Sequence, residues 1–328
     1  MFKFSEFDIP DNLSKVVLIA ILSVYVAISF NELFTEECSG IGNCFDYDRR
    51  MARLENWNFG WIESDFRHLI HMGLLELSYG LFENYKVLSF VSSILLLVIA
   101  YAFASNLTGK NIAGLIAVLV VLQSSVFYKY DTSVVYPSFW ALLFLTSLYL
   151  ITTKGWFLNS IPYLFSIPAK ALTVLFIPAT IGFMWFYNKK VLKIFIPVMS
   201  IPIVLALIKF EPKTGGFFLI DHFNLMDFLG GFVSWMWQGF AGDQSTLLLL
   251  IVFSFLLFFN RKVIPNSNAL LALVVGIILT SPILTGMTTY SIWPYRMVPL
   301  VVLVGIVVGM VVTNLDRINL KMFMLSKS

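Results

Sequence analysis

The chain has 328 residues, of which 59% are hydrophobic and only 12% charged, and a formal net charge of +3. Soluble domains carry about a quarter charged residues. Half that share, with apolar residues gathered in long runs, excludes a soluble enzyme, a disordered scaffold and a nucleic-acid-binding domain with its basic patch.

In chain order, an acidic, polar start (Glu6, Asp8, Asp11) leads through Lys15 into an apolar run over 16–34. It has neither the basic n-region nor the small-residue cleavage site of a signal peptide, so the first helix is expected to be retained. A bilayer core of about 30 Å takes roughly twenty apolar residues per helix. Further runs at 86–106, 111–128, 134–152, 156–169, 171–187, 191–209, 246–260, 268–287 and 297–313 bring the expected spans to ten. Lipid offers no partner to a bare amide, so the spans should be helical. The expectation is a single all-α, polytopic integral membrane domain over 1–328.

Charge orients it. A cytoplasmic N-terminus gathers twelve basic and four acidic residues inside, a net +8, and leaves ten basic and fifteen acidic outside, a net −5. That asymmetry obeys the positive-inside rule and requires 156–187 to be two spans, since one span would send Lys189, Lys190, Lys193 and Arg261 outside. Both termini are then cytoplasmic, and two large loops, 35–85 and 210–245, are external. Each holds aromatic stretches, Trp57-Asn58-Phe59-Gly60-Trp61 and Phe232-Val233-Ser234-Trp235-Met236-Trp237, that suit helices lying in the interface plane.

Cys38 and Cys44 share the first external loop, where an oxidising exterior favours a disulfide. Next comes Phe45-Asp46-Tyr47-Asp48-Arg49-Arg50-Met51-Ala52-Arg53. On a helix, Asp46, Arg49, Arg50 and Arg53 share a face. A carboxylate beside arginines stays ionised, as a general base or metal ligand requires; a capped, solvated helix is the plainer alternative. His68 and His71 stand three apart near Glu63 and Asp65, a zinc-like pair without a clear third ligand. Lys129 and Asp131 flank the turn after the third span, as a surface ion pair or as a site carboxylate and its neighbour.

Lys170 follows a helix too short to cross the bilayer fully, interrupted by Pro162 and Pro168. It is expected in a hairpin tip sunk into the bundle, where an ammonium needs a partner unless it snorkels. Arg296, after Trp293-Pro294-Tyr295, opens the last span on the outer side. A guanidinium there suits a lipid phosphate or a headgroup anchor. Taken together, the two cations point to an anionic ligand. No glycine-rich phosphate loop, G-x-S-x-G elbow or H-E-x-x-H occurs, and acids are nearly absent from the spans.

These features resemble the GT-C superfamily of membrane glycosyltransferases. Phe45-Asp46-Tyr47-Asp48, continuing through Met51 to Glu55-Asn56, is similar to the first acidic motif of oligosaccharyltransferase catalytic subunits, with Arg50 where a histidine usually stands. Leu107 to Ala117 resembles the turn between the family's second and third helices. Ser124-Ser125-Val126-Phe127-Tyr128 resembles the close of its third helix. Ser166-Ile167-Pro168-Ala169-Lys170-Ala171 resembles its short helix ending in lysine, and Trp293 to Pro299 its late, arginine-bearing helix. The soluble domain with the WWDYG motif is not expected, which favours a monosaccharide transferase over bloc transfer to protein.

The resemblance implies inverting transfer from a polyprenyl-phosphate-linked sugar to a glycan, lipid or protein acceptor on the extracytoplasmic side. Asp46 or Asp48 would act as base and Lys170 and Arg296 as phosphate ligands, with Arg49, His68, Asp131 and Tyr295 as neighbours. A divalent metal enters if Asp46, Asp131 or His68 converge. The competing readings are a transporter or flippase for an anionic lipid or solute, and a non-catalytic subunit of a membrane complex.

Overall fold

The computed structural model describes residues 6–35, 37, 44–55, 69–208, 223–287 and 294–318. Among these every regular element is helical, as a chain bonding its own backbone away from water requires. The α-helices are α1 (Asp11–Ser29), α2 (Cys44–Glu55), α3 (Leu69–Phe82), α4 (Lys86–Thr108), α5 (Asn111–Leu122), α6 (Ser125–Tyr130), α7 (Phe139–Ile151) and α8 (Ser160–Ala169). They continue as α9 (Ile177–Tyr187), α10 (Leu192–Ile208), α11 (Leu225–Gly242), α12 (Gln244–Phe259), α13 (Ser267–Met287) and α14 (Val298–Val312). Among the described residues, four stretches are long and apolar enough to cross a membrane alone: Asp11–Phe34, Lys86–Thr108, Ser267–Met287 and Tyr295–Val312. Others, such as Asn111–Leu122 and Gln244–Phe259, are apolar but shorter.

Hydrogen bonds at the helix termini sort the bundle into two ends. At one, Asn111 Nδ2 donates to Ile9 O at 3.1 Å, Lys110 Nζ to Thr313 O at 3.0 Å and Asn266 Nδ2 to Leu107 O at 2.8 Å. At the other, Lys86 Nζ donates to the carbonyls of Glu32 and Thr35 at 2.9 and 2.7 Å, and the Asn224 N–H to Gly286 O at 2.9 Å. Helices α1, α5 and α13 therefore run one way, α4 and α14 the other. Lys110, Arg261 and Arg317 lie at the first end, called here the basic end. Residues 131–136, Lys170 and Tyr295 lie at the second.

The centre is α14, whose residues from Val298 to Val311 are all buried. Its Gly305 and Gly309 let the backbone of α5 come close: an added Cβ would stand 2.6 Å from Ala117 O and 2.4 Å from Ala113 O. Such small-residue seams replace hydrophobic drive where lipid surrounds the bundle. Across it, Gly276 of α13 meets Ala179 of α9 in the same manner, with a Cβ approach of 2.5 Å.

Two features depart from the hydropathy reading. The run at 111–128 breaks at Ser124, whose Oγ accepts from the Phe127 N–H and so starts a separate helix, α6. The 156–187 stretch is two helices as expected, but Lys170 is extended (φ −158°, ψ 112°) and a 3₁₀ turn over Ala171–Phe176 precedes α9. Helix α11, in the expected second external loop, has both ends tied to the same end of the bundle: Asn224 to Gly286 as above, and Asp243 to Ser124.

Candidate functional site

Between α6 and α7 the chain Asp131-Thr132-Ser133-Val134-Val135-Tyr136 has no helical pairing, yet residues 131–135 are buried. Its polar backbone groups must find partners elsewhere, and side chains of four other segments supply them. From α4, Ser93 Oγ donates to Asp131 O at 2.8 Å and Ser89 Oγ to Ser133 O at 2.7 Å. Glu37 accepts the Val134 N–H at 2.8 Å and the Ser133 hydroxyl on its other oxygen. His71 of α3 lies 3.2 Å through Nε2 from Val134 O, and Arg50 of α2 donates to Val135 O at 3.4 Å. Around the same turn Leu54, Met72, Leu75 and Phe139 form a separate apolar cluster with Val134. The turn is thus the hub on which α2, α3 and α4 meet.

One flank of the hub is acidic. Asp131 is fully buried (0% exposed), and Tyr25 of α1 donates to its Oδ2 at 2.8 Å. Burial pushes its carboxyl up to about 7, with Glu32 raising it further; Tyr25, Ser29 and the Thr132 N–H pull the other way. Ser29 and Thr132 lie near without reaching Oδ1 in hydrogen-bonding geometry. The surface ion pair with Lys129 is therefore corrected: Asp131 turns inward, and Lys129 lies 5.8 Å from the Tyr130 ring centroid.

The other flank is cationic and aromatic. Tyr136 stacks on Tyr295 with ring centroids 4.0 Å apart at 14°, and Tyr130 meets both edgewise. Lys170 Nζ donates to Tyr295 Oη at 3.2 Å and Arg296 Nε donates to the same oxygen at 3.1 Å. Lys170 also lies 4.7 Å from the Tyr295 ring centroid. Arg296 is only 7% exposed, and Lys170 is half-buried. Two cations from distant stretches thus share one phenol, docked by its ring on the 131–136 hub.

Asp48 is exposed on α2, and Asp46 occupies the backbone position one turn before Arg50 on that helix. The side chains of Asp46, Arg49 and Cys44 lie outside the described ones, as do Cys38 and His68 altogether; the expected Cys38–Cys44 bridge falls there too. His71 is engaged with the hub backbone. Among the described residues no three of His, Cys, Asp and Glu gather as a metal would need. Sequence reasoning missed Tyr25, Glu37 and Tyr136. Tyr25 is the lone tyrosine in an apolar run, the one signal it offered; Glu37 and Tyr136 gave none. Comparison with family models, curated proteins and solved structures finds no match to this chain.

Proposed function

We propose that this chain is a GT-C-type inverting glycosyltransferase, moving one sugar from a polyprenyl-phosphate donor to a hydroxyl of a glycan, lipid or protein acceptor. The reading assigns the ten apolar runs to ten spans and puts both termini in the cytoplasm. The hub end is extracytoplasmic, because the net positive charge of +8 falls at the opposite end, against −5 here. One observation carries it: Lys170 and Arg296 meet on Tyr295, and Tyr295 stacks on the turn whose Val135 carbonyl holds α2, the helix of Asp46 and Asp48.

In the proposed step the acceptor oxygen attacks the anomeric carbon and its proton passes to Asp46, or to Asp48 two residues on. The bond from that carbon to the phosphate oxygen breaks, and the lipid phosphate leaves with the electron pair. Lys170 and Arg296 stabilise the charge gathering on the phosphate oxygens, the contribution usually largest in such reactions.

The test uses purified full-length protein and a radiolabelled polyprenyl-phosphate sugar, without any ion gradient. Asp46→Asn is expected to lower turnover by about 10²- to 10⁴-fold, the usual contribution of a general base, with donor affinity kept. Arg296→Ala is expected to weaken donor binding instead. Undiminished turnover in Asp46→Asn and Asp48→Asn would remove the base assignment. No donor consumption by the unsubstituted protein, with lipid movement across vesicles, would replace the enzyme by a flippase.

A further inference from the structure

The basic end carries a concavity unrelated to the hub. The link between α12 and α13 curls tightly: the N–H groups of Val263 and Ile264 both donate to Asn260 O, at 2.9 and 3.0 Å, and Ser267 Oγ donates to Arg261 O at 2.8 Å. Asn266, at φ 60°, fastens the curl to the bundle through its 2.8 Å bond to Leu107 O. It frames an open concavity of about 290 Å³ lined by Arg261, Lys262, Asn266, Ser267 and Asn268, and by Phe186 from the last turn of α9.

Charge gives way to apolar surface within a single helical turn. Arg261, Lys262, Lys189 and Lys190 are exposed, and no salt bridge among the described residues involves them. Beside them stand the exposed rings of Trp185, Phe186, Phe258 and Phe259. Lys189 Nζ lies 4.5 Å from the Trp185 ring centroid, and the Arg261 guanidinium 4.8 Å from that of Phe258. Cations laid on lipid-facing rings mark headgroup depth. Free phosphate would use the cations alone; a phospholipid would use the rings as well.

We infer that this concavity binds the headgroup of an anionic phospholipid, its phosphate between Arg261 and Lys262 and its acyl chains along Phe186 and Phe258. Charge complementarity selects an anionic over a zwitterionic lipid. The aromatic wall, continuous with the exposed faces of α9 and α12, selects a lipid over a soluble phosphate.

The test titrates purified full-length protein in non-ionic detergent with phosphatidylglycerol, and with phosphatidylcholine of the same chains, reading bound lipid by native mass spectrometry. Phosphatidylglycerol should bind more tightly. Arg261→Gln with Lys262→Gln should weaken it about tenfold or more while leaving phosphatidylcholine unchanged, as expected for the loss of two interfacial cations. Lys262→Gln alone, at an exposed side chain, should weaken it about threefold or more, a second readout if the double variant folds poorly. Lys15→Gln with Lys154→Gln removes the same charge from the same end and should leave binding within about twofold. Equal binding of the two lipids, an equal loss in the Lys15 and Lys154 variant, or displacement by equimolar glycerophosphoglycerol would each overturn the assignment.

Discussion

Tyr25 places its hydroxyl 2.8 Å from Asp131 Oδ2 inside the bundle, but burial outweighs that contact and sets how the carboxyl responds to pH. The folded protein keeps the Asp131 proton up to about pH 7, whereas an unfolded chain releases it at about pH 4. Between those values the folded state binds more protons, so stability falls as pH rises through the window and is level above it. The full span is worth roughly 4 kcal/mol at most. Asparagine at 131 would keep an acceptor for Tyr25 without titrating. Asp131→Asn is expected to unfold at a higher temperature than the parent at pH 7.5, to match it at about pH 3.5, below the window, and to lose the slope between. Thermal unfolding followed by tryptophan fluorescence measures this; an unchanged slope would place the titration on another group.

Helices α5 and α14 owe their approach to Gly305 and Gly309, where any side chain would meet a carbonyl oxygen of α5 at under 3 Å. A backbone oxygen cannot swing away as a flexible side chain can, so the two helices must separate. Gly309→Leu is expected to cost at least the roughly 1–3 kcal/mol of core overpacking, since the displaced helix holds the middle of the bundle. Gly80→Leu on α3, where a Cβ meets nothing within 4 Å, is the matched control and should change the unfolding temperature little. Equal effects would mean that the seam is not a point of close contact. Helix α6 works at the same scale. By stopping the run at Ser124 and starting again, the chain brings Asp131 to the hub rather than onto a lipid-facing surface.

Across the whole molecule, charge and geometry agree on two ends. Lys154 and Lys129 are both exposed, one beside the Thr152 hydroxyl that meets Asn106 at the basic end, the other just before the hub. With Cys38→Ser and Cys44→Ser as background, Lys154→Cys and Lys129→Cys should react with a membrane-impermeant thiol reagent from opposite sides, the second from outside intact cells. Labelling of both from one side would refute the two-ended arrangement.

Membrane character, the position of the cations and the break at Lys170 were all legible in the amino-acid order. Each depends on local composition: the length of an apolar run, a proline near a helix end, a lysine where a span falls short. Arg296 was legible for the same reason, as a cation opening an apolar run. What joins these residues was not. Tyr25 and Asp131 are 106 positions apart, and Lys170 and Tyr295 are 125 apart. No helical period reaches that far. Glu37 capping the hub, Asp131 turned inward and Tyr295 shared by two cations are decided by which helices pack together, and that packing rests on glycine seams and buried polar bonds between distant segments.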